Sequence, residues 1–185
     1  MAKASNNILL QGLTGSLGGQ LVLRRGRRGQ TIVSAKPVFG PDRQFSAAQK
    51  AHQQAFREAS AYARVASDDA FYRLKSQQRD QSAYNAAIAD WFHPPQIVEV
   101  DVTHWSGQAG ETIRVKAVDD TQVIQVSLVI TDESGQVLEQ GTADPGDGFW
   151  WSYVTTAQAN GKRCLQVTAQ DRPGNQAQHT WLSHG

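Results

Sequence analysis

The chain is poor in several things at once. Its 185 residues include one cysteine, one methionine and six prolines. The lone Cys164 excludes an intramolecular disulfide and any zinc site built on cysteine. A transmembrane helix needs about 20 apolar residues in succession, and no run here approaches that, so no membrane insertion is expected. Met1-Ala2-Lys3-Ala4-Ser5-Asn6-Asn7 has a single Lys and no apolar core behind it. No Sec-type signal peptide is therefore expected, and an extracellular role would need another export route. Catalytic signatures are missing too: there is no G-x-S-x-G, H-E-x-x-H, P-loop or G-x-G-x-x-G. The histidines (His52, His93, His104, His179 and His184) show no metal spacing. These absences leave no catalytic residue and no cofactor to expect.

What is present is globular. The hydrophobic share of 39% and charged share of 19% suit a chain that buries a core. The net charge of +1 hides a split at His93-Pro94-Pro95, where two prolines end any helix. Residues 1–94 carry 13 Lys+Arg and 6 Asp+Glu, a net of +7, and residues 95–185 carry 5 and 11, a net of −6. Ala, Gln and Arg dominate before the prolines, and Val, Thr, Asp and Gly after them. Two modules are expected, a basic one over 1–94 and an acidic one over 95–185.

The basic module opens with a Gly-rich stretch. Leu21-Val22-Leu23-Arg24-Arg25 and Gln30-Thr31-Ile32-Val33-Ser34 flank Gly26-Arg27-Arg28-Gly29, which predicts a β-hairpin arm. A lone hairpin is marginal in water and offers edges for another chain to pair with. Short helices follow. Ser46-Ala47-Ala48-Gln49 is a capping box opening a helix of about five turns. Ser67 with Asp68 can cap a second helix carrying Phe71, Tyr72 and Leu74, and Ser82 a third carrying Tyr84, Ala87, Ile88 and Trp91.

After the prolines the period becomes two. Val98/Val100/Val102, Ile113/Val115/Ala117, Ile124/Val126/Leu128/Ile130, Val137-Leu138, Phe149/Trp151/Tyr153, Leu165/Val167/Ala169 and Ala177/His179/Trp181 read as seven short strands separated by turns. The fold class expected is α+β: an arm and short helices, then a seven-stranded immunoglobulin-like β-sandwich.

Two phrases carry a resemblance. Ala117-Val118-Asp119-Asp120, and Thr168-Ala169-Gln170-Asp171-Arg172-Pro173-Gly174-Asn175, resemble bacterial immunoglobulin-like modules over roughly residues 96–182. The resemblance implies a structural or adhesive unit. More loosely, residues 12–57 resemble short bacterial proteins in which a Gly-rich hairpin precedes an S-x-x-Q helix, a group without an assigned activity.

The candidate site residues are few. Arg24, Arg25, Arg27 and Arg28 crowd one turn, where guanidiniums can grip phosphates or an acidic protein face, or simply be solvated. Leu21, Leu23 and Ile32 offer the arm an apolar contact, and alternation turns Trp150 away from Trp151, either to a partner or onto the helices. Asp119, Asp120, Asp171 and Asn175 can bind Ca²⁺ if their loops converge, or serve turn chemistry alone. The expectation is a non-catalytic structural subunit, a homo-oligomer assembling head to tail through its arm and its opposite charges. The alternatives are a nucleic-acid-binding protein using Arg24–Arg28 with Lys3 and Lys36, and a carbohydrate- or surface-binding module around Trp150.

Overall fold

A computed structural model describes residues 2–4, 10, 12–26, 29–40, 44–79 and 81–183. It divides into two compact units, 1–48 and 49–185. The compact boundary thus falls before the helices, whereas Pro94-Pro95 marks where helices give way to strands. The charge follows the compact boundary. Residues 1–48 hold seven Lys+Arg against one Asp, a net of +6, while 49–94 nets only +1.

The first unit is a four-stranded antiparallel sheet rather than a hairpin alone. Its strands are β1 (Ala2–Ala4), β2 (Gly15–Leu17), β3 (Leu21–Arg25) and β4 (Thr31–Ala35), in the order β1-β4-β3-β2. The expected hairpin is β3–β4, with Leu23 opposite Val33 and Arg24 opposite Ile32. Between β2 and β3, Gly18 and Gly19 both take positive φ (58° and 67°), which glycine adopts without a Cβ clash. These glycines build the turn that adds β2. Among the described residues of this sheet only Leu23 and Thr31 are buried.

In the second unit, α1 (Ala47–Ala66) is a 20-residue helix beginning just after Ser46. α2 (Ala70–Arg79) is capped by Asp69, whose Oδ1 accepts the Phe71 N–H at 2.8 Å, and not by Ser67 or Asp68. Ser67 instead donates to the Arg64 carbonyl. α3 (Ala83–Phe92) begins as expected, with the Ser82 hydroxyl accepting from the Asn85 N–H at 3.1 Å. Ala63, Tyr72, Ala86 and Ala87 form the buried centre of the helices, bordered by Tyr62, Phe71, Tyr84 and Ile88. Leu74, expected inside, is 60% exposed. Among the described residues no helix is long and apolar enough to cross a membrane.

The rest is a β-sandwich. One antiparallel sheet runs β5 (Gln96–Asp101), β6 (Thr112–Val118), β10 (Trp150–Val154), β9 (Asp144–Pro145); the other runs β12 (Gln176–Leu182), β11 (Arg163–Asp171), β7 (Val123–Asp132), β8 (Val137–Thr142). Seven of these strands coincide with the runs of alternating apolar residues, and β9 adds an eighth. Two residues at a sheet edge, one of them proline, carry no alternation to read. Ile113, Val115 and Ala117 face Val126, Leu128, Ile130, Leu165, Val167 and Ala169 in a continuous core. Each of these is at most 2% exposed. At about 25 cal/mol per Å² of apolar surface removed from water, this core dominates the fold's stability.

A polar pair, Glu139 and Tyr153, lies inside. Glu139 is buried and accepts from the Tyr153 hydroxyl (2.7 Å), the Thr156 N–H (2.6 Å) and hydroxyl (2.7 Å), and the Ala157 N–H (3.1 Å). Burial pushes this carboxyl up, but the hydrogen bonds together outweigh it and hold Glu139 below the ordinary glutamate range. Burial and the facing carboxylate push Tyr153 up to about 12.

Candidate functional site

An acidic cluster gathers where the helices meet the sandwich. Asp90 lies on α3, and Asp119 and Asp120 on the β6–β7 loop; each can place a carboxylate oxygen within 4.8 Å of the others'. Asp90 is fully buried because it shares the packed stripe of α3 with Ala86 and Ala87, four and three residues earlier. Its Oδ2 accepts a short hydrogen bond from the Tyr72 hydroxyl, which also pairs with the Tyr62 hydroxyl at 2.7 Å. Its Oδ1 is buried with no hydrogen-bond partner.

Asp119 divides its carboxylate in the same way. Oδ1 accepts the N–H groups of Thr121 (2.6 Å) and Gln122 (2.9 Å), which shape the loop, while Oδ2 is buried without a partner. Asp120 takes the Thr121 hydroxyl on Oδ1 (3.2 Å) and lies 3.0 Å from His93 Nδ1 through Oδ2. Its carbonyl accepts from Lys75 Nζ of α2 at 2.7 Å. Burial is the first cause of raised pKa values here and neighbouring carboxylates add to it. Asp90 is pushed up to about 6 by burial, opposed by hydrogen bonds from Tyr72 and Thr121, and Asp119 is raised by burial and then by Asp120. The oxygens so held can accept a proton or a cation and have nothing to donate.

Asp171 and Asn175 do a different task. Asp171 is fully buried, and its Oδ1 accepts the N–H groups of Gly174 (2.9 Å) and Asn175 (2.6 Å) while Oδ2 accepts from Asn175 Nδ2 (2.8 Å). That is turn chemistry between β11 and β12, the alternative to calcium binding weighed for this pair. Asn175 Nδ2 also reaches the carbonyls of Asp90 (3.4 Å) and Trp91 (3.1 Å), joining the turn to the end of α3. Nearby, Arg172 bonds Asp69 at 3.2 Å and lies over the Phe71 ring at 4.5 Å. Of the four oxygen-ligand candidates, the structure brings Asp119 and Asp120 together with Asp90, which sequence reasoning missed. An Asp at the spacing of a buried alanine stripe was the available signal.

The remaining candidates are spread over both units. Arg24 and Arg25 are exposed on β3, and Arg27 and Arg28 lie outside the described residues. Leu21 is 38% exposed and pairs across the sheet with Leu17, itself 53% exposed. Ile32 is half-buried, and Leu23 is buried, so it packs within the sheet and is not a contact surface. Trp150 is half-buried with the Arg114 guanidinium 4.6 Å from its ring centre and Lys116 Nζ at 5.8 Å. Trp151 turns to the opposite face and packs on the core. Phe149, expected on that inner face, is exposed.

No protein-family model matches the chain, and no curated protein sequence does. Among solved structures it is similar to CopC from Methylosinus trichosporium OB3b, at 12% identity and TM-score 0.37, over 48% of this chain and 89% of that one. It is also similar to a tetra-tandem repeat in the extending region of a large adhesion protein (20%, TM-score 0.34, 49% of this chain and 23% of that one). A conjugative transposon lipoprotein from Bacteroides eggerthii DSM 20697 matches at 11% and TM-score 0.30, over 50% of this chain and 97% of that one. Similarity at this level assigns no family.

Proposed function

We propose that the chain is a non-catalytic structural subunit that assembles with further copies of itself, using the 1–48 sheet as the docking element. The observation that carries this is the poverty of that sheet's interior. Leu17, Leu21, Leu23 and Val33 lie on one face by register, yet only Leu23 among them is buried, and Leu13, Val38 and Phe39 are also exposed. A sheet with so little buried apolar surface gains little to offset the conformational entropy of ordering it. The occupant proposed is the sandwich of a second copy, because the sheet unit carries +6 and residues 95–185 carry −6. A contact of this kind is heterologous and closes into rings or extends into filaments.

The sandwich suits a mechanical role. Its strand orders, β5-β6-β10-β9 and β12-β11-β7-β8, correspond to A-B-E-D and G-F-C of an immunoglobulin-like sandwich with β8 added, which supports that finer reading of the fold. Light scattering of the full chain over a range of concentration, with negative-stain microscopy, tests the proposal. Multiples of the 20.2 kDa chain mass that shrink as salt rises support it, and a monomer at every concentration contradicts it.

A further inference from the structure

We propose that Asp90, Asp119 and Asp120 form a site for a divalent cation of the calcium type, which clamps the last turn of α3 to the β6–β7 loop. Three carboxylates from two elements have oxygens within 4.8 Å of one another. Exposed acidic groups often cluster without consequence, but here one member is fully buried. Asp90 has one oxygen occupied by Tyr72, and the other, Oδ1, is buried without a hydrogen bond of good geometry; the Thr121 hydroxyl, which donates to Asp120 at 3.2 Å, is the donor beside it. Asp119 repeats the pattern independently, with Oδ1 spent on two loop N–H groups and Oδ2 buried and unpartnered. A buried carboxylate oxygen without a hydrogen bond is destabilising, and two of them in one cluster are what a bound cation would satisfy.

The chemistry selects the ion. All donors are oxygens, with neither thiolate nor a set of imidazoles, which suits a hard cation. The carboxylates come from separate positions with irregular spacing, which a flexible Ca²⁺ shell tolerates better than the octahedral demand of Mg²⁺. Among the described residues, Lys75 donates to the Asp120 carbonyl and His93 lies on its Oδ2; neither hydrogen-bonds Asp90 or Asp119, although the Lys75 charge also favours the ionised form of Asp119. An open cleft of about 480 Å³ bordered by His93, Gln96, Val118, Asp119 and Asp120 offers an entry path. Asp171 stays outside the site, its oxygens held by its own turn.

The test is calorimetric titration of the EDTA-treated full chain with CaCl₂, paired with thermal melting. One Ca²⁺ per chain is expected, with a melting point higher by roughly 5–10 °C at a hundredfold excess over Kd. Asp119→Asn should lower the affinity on the order of tenfold or more, since ligand charge sets calcium affinity. Asp132→Asn, in the distant β7–β8 turn, should bind as the unsubstituted chain does. Asp90→Asn should also lose binding, and if it fails to fold the loop variant still decides the question. No binding heat and no change in melting at about 5 mM CaCl₂ would overturn the site. So would unaltered affinity in Asp119→Asn, or an equal response to MgCl₂.

Discussion

The side-chain amide of Asn175, on the β11–β12 turn, donates to the main-chain carbonyl of Trp91 at 3.1 Å. One amide thus caps the end of α3, braces the Asp171 carboxylate and joins helix to sandwich across 84 residues of sequence. Asn175→Ala removes all of these bonds and is expected to cost about 1–3 kcal/mol. Urea denaturation of the two proteins measures this, and an unchanged midpoint would mean the bridge contributes nothing.

Tyr72 stands at the centre of the helical core with its hydroxyl between Asp90 and Tyr62. Tyr72→Phe keeps the ring packed but strips the donor from Oδ2 of the fully buried Asp90 carboxylate. A loss on the order of 1–3 kcal/mol is expected. Leu74→Ala serves as the control: at 60% exposure it should cost well under about 1 kcal/mol.

Glu139 sets an acid limit on stability. Its folded pKa lies below the ordinary glutamate value of 4.5, so the unfolded chain binds its proton more readily. The stabilisation is therefore fully present above that ordinary value and is lost as pH falls through the lower folded one. Stability measured by urea between about pH 3 and 7 should fall on the acid side. Glu139→Gln should lower stability at neutral pH and flatten that acid limb. An acid limb of equal slope in the variant would show that other carboxylates govern it.

How much of this was legible in sequence depended on the range of the interaction. Strands such as Thr112–Val118 and Arg163–Asp171 wrote their inner faces directly into alternation, whereas Val98, Ile124 and Phe149, read on the same faces as core residues, are exposed, Val98 beside a register shift between Ile97 and Glu99. β2 (Gly15–Leu17) was lost among glycines that read as entropy cost and turned out to supply a turn. The α2 cap fell to Asp69 because cap choice among adjacent Ser67, Asp68 and Asp69 rests on backbone geometry, not residue type. Asp90 was overlooked for a plainer reason. Its partners Asp119 and Asp120 are about 30 residues away, and its one local signal, the helical spacing from Ala86 and Ala87, does not reveal them. The charge split at Pro94-Pro95 was real as arithmetic, but the basic excess belongs chiefly to residues 1–48.

Assembly through the 1–48 sheet is tested most directly by light scattering of the full chain beside Leu17→Asp/Leu21→Asp. Those two side chains face each other across β2 and β3 and are both exposed, so charge there should leave the second unit's fold untouched. If the sheet docks on further copies, the unsubstituted chain has a mass several times 20.2 kDa at low salt and the double variant is a monomer. Identical monomeric masses for both proteins, at low and moderate salt alike, would contradict it.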